Sequence, residues 1–209
     1  LLPLQGDKGA GIQRLVWDLR HPLPFDTSED ESSLSRGQGG FMRSAPRGPF
    51  VLPGNYQARL SVGEAKNVQS VKVMGDPLID ISLEDRRLWH DTLLTLTQME
   101  ATVRAVVSTA GEVKDRMTDV QDSLERHPEA PESLHRDVRT LTAEADEILG
   151  QMSGRETRGG AEQRRQIPIA RQVTRLYSSV EAATAVPTAD QRRLILESRE
   201  KLNEQVAKL

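Results

Sequence analysis

Residues Gly48–Val62 read GPFVLPGNYQARLSV, and their second half alternates: Tyr56, Ala58, Leu60 and Val62 fall on one face, Gln57, Arg59 and Ser61 on the other. A period of two predicts a half-buried strand in a sandwich-like sheet. Pro53-Gly54 predicts a type II turn ahead of it, because proline sets φ at the first central position and glycine tolerates φ > 0 at the second. Working outward, Gly11–Arg20 (GIQRLVWDLR) predicts an earlier strand over 12–19, with Leu15, Trp17 and Leu19 on one face. After a turn around Gly63–Asn67, the run Val68–Val73 alternates again. These strands are too few to close a sandwich, so the pattern predicts further strands that lie upstream or are very short. The stretch Phe25–Gly48 holds an acidic run, Asp26–Glu31, and Gly37-Gln38-Gly39-Gly40. Its polarity and length predict a disordered insertion.

From Ser82 the period changes. Ser82 with Asp85 three residues on is a helix N-cap signal. Leu88, Thr92, Thr95, Met99, Val103, Val106, Ala110, Val113, Met117, Val120 and Leu124 recur at spacings of three and four, which predicts one long helix ended by His127-Pro128 and serving as a strut. Leu134, Val138, Leu141, Ala145, Ile148 and Met152 mark a second helix, stopped at Ser153-Gly154. Ile169, Val173, Leu176, Val180 and Ala183 mark a third. Thr188-Ala189-Asp190-Gln191 is a capping box for a fourth, with Ile195, Leu202, Val206 and Leu209 as its stripe. Each stripe is too narrow to stand alone, which predicts an antiparallel bundle of about four helices. The fold class expected is therefore α+β: a small β module over residues 1–80 and a helical bundle over 81–209.

Composition narrows the function classes. Among 209 residues only 36% are apolar and 3% aromatic, while 28% are charged, a balance that suits helices with wide solvated faces. A net charge of −3 makes no electrostatic case for nucleic acid or an anionic membrane, and no apolar run is long enough to span a bilayer. Without cysteine there is no disulfide, thiolate zinc site or thiol nucleophile. The chain opens at Leu1 without methionine and stops at Leu209 within a helical pattern, which reads as a fragment.

Trp17, on the Leu15/Leu19 face, reads as a core tryptophan rather than a sugar-stacking platform. Asp18 and Arg20 alternate outward from it, to form either a cross-strand ion pair or a bond to the turn backbone. Tyr56 faces inward and anchors the turn. The 31 acidic residues lie mostly on helix faces among Arg and Lys, as in Glu84-Asp85-Arg86-Arg87, a pattern of solvated i, i+4 pairs rather than a glycosidase dyad. His21, His90, His127 and His135 are isolated in sequence, with no metal-ligand spacing, so neither metal nor cofactor is expected. His127 before Pro128 suits a helix C-terminus. The connector bearing Arg155, Arg158, Arg164 and Arg165 reads as a solvated loop that could also meet an acidic partner or a polysaccharide.

The spacing Gly11…Trp17-Asp18-x-Arg20, an insertion, then Gly48-Pro49-x-Val51-x-Pro53-Gly54-x-Tyr56-x-x-Arg59-Leu60 resembles the Ig-like module related to the flagellar hook-capping protein. That module closes secreted β-propeller proteins with BNR (Asp-box) repeats, the sortilin-like group often labelled glycosyl hydrolases. The segment Ala185-Val186-Pro187-Thr188-Ala189-Asp190-Gln191-Arg192 is similar to part of the helical tail that follows it there, so the likeness runs from about Gly9 to Leu209. The chain departs from the pattern at Gln13, where asparagine is usual, in the long insertion His21–Arg47, and in having no Asp-box. The resemblance implies a non-catalytic, carboxy-terminal accessory region of an exported protein (secreted, periplasmic or at the cell surface) whose partner is the missing upstream propeller. The alternatives are part of a glycan-acting hydrolase and a free-standing helical adaptor that dimerises through the Leu88–Leu124 stripe.

Overall fold

The computed structural model describes residues 2–4, 6, 9, 11–27, 46–127, 129–154 and 167–209. It contains a two-stranded antiparallel sheet followed by four helices, an α+β layout. Strand β1, Gly54–Val62, pairs with β2, Ala65–Val73, from Gly54↔Val73 through Tyr56↔Val71 and Leu60↔Asn67 to Val62↔Ala65. The loop is only Gly63-Glu64, shorter than the turn expected over Gly63–Asn67, so β2 starts three residues earlier. Gly63 has φ 56°. A positive φ at the first of two loop residues suits a turn whose twist matches that of the strands.

Two sequence expectations are corrected in this region. Residues 12–19 form no strand; a single bridge joins Arg20 to Phe50, flanked by His21 N–H to Pro49 O (2.9 Å) and Val51 N–H to Leu19 O (2.8 Å). Leu19 sits at φ 60°, which breaks the extended run, and prolines at 22, 24, 49 and 53 cannot donate to a longer ladder. The type II turn at Pro53-Gly54 is absent as well. Gly54 is the first paired residue of β1, and the glycines at positive φ among the described residues are Gly11, Gly63 and Gly154.

The helices are α1, Leu83–Glu125; α2, Glu132–Ser153; α3, Ile169–Glu181; and α4, Ala189–Val206. Ser82 caps α1, its Oγ accepting from Asp85 N–H at 3.0 Å. With 43 residues, α1 runs about 65 Å. Its buried stripe is Trp89, Leu93, Leu96, Met99, Val103, Val106 and Ala110. In the first turns this lies one position from the expected Leu88, Thr92 and Thr95. The reason is phase: Trp89, Leu93 and Leu96 continue the period of Met99 and Val103 with apolar side chains, whereas Thr92 returns its hydroxyl to the Leu88 carbonyl at 2.7 Å.

Gly154 ends α2 at φ 68°, its N–H reaching Gly150 O at 3.1 Å, a left-handed terminus that glycine adopts without penalty. Helix α4 starts with the expected reciprocal cap: Thr188 Oγ1 accepts from Gln191 N–H (3.2 Å), and Gln191 Oε1 accepts from Thr188 N–H (2.9 Å). In the α2 and α4 stripes Leu134, Leu141, Val206 and Leu209 remain exposed, while Leu149, Ser198 and Gln205 are buried. No helix among the described residues is long and apolar enough to cross a membrane.

The chain divides into two compact units. One unit holds Leu1–Leu94 with Val180–Pro187, the other Thr95–Ser179 with Thr188–Leu209. The second unit buries the apolar stripes from Leu96 to Leu202, tied across by Lys114 Nζ–Asp146 Oδ1 (2.6 Å) and Lys208 Nζ–Glu147 Oε1 (3.0 Å). The first unit holds the hairpin and the segments that brace it.

Candidate functional site

The first unit gathers the sequence-marked residues around one short stretch of backbone. Asp18 Oδ1 accepts from Arg20 N–H at 3.1 Å, so of the two roles open to Asp18 it takes the bond to turn backbone. Arg20 is not its ion partner. The Arg20 guanidinium crosses to Glu181 Oε1 at the end of α3 (2.7 Å), donates to Gly48 O (2.6 Å) and lies over the Phe50 ring at 3.8 Å. Its side chain is 14% exposed, so these bonds form largely out of water and hold two remote segments on one cation.

Gly48 is required here by close approach. A Cβ at this position would run into the His21 carbonyl oxygen, with the carbonyl carbon at 2.9 Å. Trp17 is half-buried rather than a fully buried core residue. Its Nε1 donates to Arg20 O (3.3 Å), and its ring meets Tyr56 edge-on with centroids 5.4 Å apart. Tyr56 donates its hydroxyl to Leu52 O at 2.6 Å, anchoring the approach to β1 as the alternation suggests. Pro53 and Gly54 carry the chain from this brace into the hairpin.

Two histidines that are 69 residues apart meet at the same place. His21 Nε2 and His90 Nε2 are 3.0 Å apart, with ring centroids at 5.0 Å. His90 is 5% exposed, and its Nδ1 lies 3.2 Å from Asp91 Oδ1. Burial, and secondly the neighbouring His90, hold the His21 pKa below its ordinary 6.5. The preceding residue, Trp89, donates from Nε1 to Val180 O at 2.9 Å, fastening α1 to the end of α3. Sequence spacing gave no sign of this histidine pair, because only the path of the chain between residues 21 and 90 brings the rings together.

Beyond this brace stands the hairpin. Directly paired residues share a face, so Tyr56, Ala58, Leu60, Val62, Ala65, Asn67, Gln69 and Val71 lie on one side of the ribbon, and Asn55, Gln57, Arg59, Ser61, Lys66, Val68, Ser70 and Lys72 on the other. Past Tyr56 the apolar side is open: Leu60 is 60% and Val62 66% exposed. No group of three or more potential metal ligands occurs among the described residues. The arginines of the basic connector (155, 158, 164 and 165) and most of the insertion lie outside the described residues. His127, as expected near a helix end, reaches Ser123 O from Nδ1 at 2.9 Å.

In chemical terms the site is a set of donors and rings spent on backbone. The carboxylates of Asp18 and Glu181 are each engaged in holding Arg20. No protein-family model matches the chain, and neither a curated protein nor a solved structure is significantly similar to it.

Proposed function

We propose that this chain is a non-catalytic accessory region of an exported BNR-repeat, sortilin-like β-propeller protein, in which an Ig-like module docks on the propeller and an antiparallel helical bundle carries it. The observation that supports this reading is the open apolar side of the hairpin, Ala58, Leu60, Val62, Ala65 and Val71, set on a rigid polar brace. A two-stranded ribbon is marginal in water by itself, and exposed apolar side chains such as Leu60 and Val62, grouped on one side although Asn67 and Gln69 stand among them, suit a surface that another element covers. The WDLR and PGNY segments, which carry the resemblance, build the brace, and so link the motif to the display of the hairpin. The arginines at 155, 158, 164 and 165 are offered as a second, electrostatic contact for an acidic partner.

The test begins with the reading frame upstream of Leu1. Repeated Asp-box blades there, and a propeller that binds this chain when the two are produced separately, are the expected results. The double substitution Leu60→Lys/Val62→Lys should then weaken that binding by about 100-fold, each lysine burying a charge in the contact. Its effect on the stability of the isolated chain should stay within about 0.5 kcal/mol, as for other exposed positions. A start codon immediately upstream with no blades, or binding that is indifferent to both lysines, would refute the docking role.

A further inference from the structure

We infer that His21 and His90 form a proton-operated latch, which at neutral pH clamps the Leu19–Val51 brace to the first turns of α1 and lets it go when both imidazoles are charged. The inference concerns the inside of the first unit and holds whatever the hairpin docks on.

The geometry assigns the protons. His90 Nδ1 faces Asp91 Oδ1, so it carries the hydrogen and donates, which leaves the His90 Nε2 lone pair directed at His21. His21 Nε2–H then donates across the 3.0 Å gap. A pair with one extra proton keeps the bond, because a cationic ring donates to a neutral one. A doubly protonated pair has no acceptor, and it sets two positive charges against each other where His90 is almost fully buried.

The charged groups around the pair do not relieve this. Asp91, on the same helix, serves Nδ1 of His90 rather than the shared gap. On the strand side Arg20 is itself a cation, and Glu181 from α3 is already held by it at 2.7 Å. The sign follows from the lowered His21 pKa: the unfolded or opened chain binds the proton more readily than the closed one. Latch stability is therefore complete above the ordinary value of 6.5 and is lost as pH falls from there to the lowered value.

What opens is also defined. His21 N–H to Pro49 O and Val51 N–H to Leu19 O are the backbone bonds beside the latch, and Gly48 is packed against the His21 carbonyl. Amide exchange on the whole chain reads them directly. Between about pH 7.5 and pH 5, corrected for intrinsic exchange, protection at the His21 and Val51 amides should fall about tenfold or more, while amides of Leu96–Ala110 hold theirs. His90→Gln keeps a donor and an acceptor toward His21 without a titrating ring, and should flatten that dependence. Equal protection at the two pH values in the native chain, or the same fall in His90→Gln, overturns the latch. Should the variant not fold, the imidazole proton resonances of the native chain decide. His21 titrating below its ordinary 6.5 supports the latch; titration at or above that value refutes it.

Discussion

Each compact unit buries apolar side chains, Leu93, Pro49 and Pro187 among them in the first, but the first adds a set of polar bonds to backbone. In the second unit the stripes from Leu96 to Leu202 bury aliphatic side chains, and Leu96, Met152 and Val173 have no exposed surface at all. In the first unit the described residues of the brace meet through polar groups on backbone: Arg20 on Gly48 O, Trp17 on Arg20 O, Tyr56 on Leu52 O, Trp89 on Val180 O. Hydrophobic burial is non-directional and tolerates local adjustment, whereas a brace of single hydrogen bonds depends on each backbone atom being in place.

Three substitutions test this contrast. Leu96→Ala should have the largest effect, a loss of about 3 kcal/mol, because the site is fully enclosed and truncation leaves a cavity. Denaturant unfolding followed by helical circular dichroism measures it; a loss below about 1 kcal/mol would mean that the stripe is less tightly packed than described. Gly48→Ala comes next, at about 2 kcal/mol, since the methyl group meets rigid backbone at His21 rather than a yielding side chain. Its mark is local: amide protection at His21 and Val51 should drop while the helical signal is kept. A change confined to the helices would contradict the brace. The smallest is Thr188→Ala, which removes half of a reciprocal cap at the start of α4 and should cost about 1 kcal/mol. Thr188→Ser should restore most of it in thermal unfolding, and failure to do so would remove the cap from the account of α4.

How much was legible in the sequence follows the same division. The limits of α1 at Ser82, of α2 at Gly154 and of α4 at Thr188 could be read directly, because caps act within four residues of the chain. The stripe of α1 was read one position off in its first turns, where Leu88 and Trp89 compete for the same face; there the burial of Trp89, through its bond to Val180 O, decides. The expected strand over 12–19 failed for a related reason. Alternation states which side chains could share a face but does not supply the neighbour that a ladder needs, and here the neighbour extends to one bridge.

What the sequence by itself determined is the α+β order, the helix limits at Ser82, Gly154 and Thr188, and the alternation along β1, since each rests on contacts between residues close in the chain. Only the tertiary structure decided that Arg20 reaches Glu181, that Gly48 lies against His21, and that His21 meets His90. Those partners are separated by 161, 27 and 69 positions. No local period encodes such a meeting, because closing a long loop is set by the packing of everything between its ends.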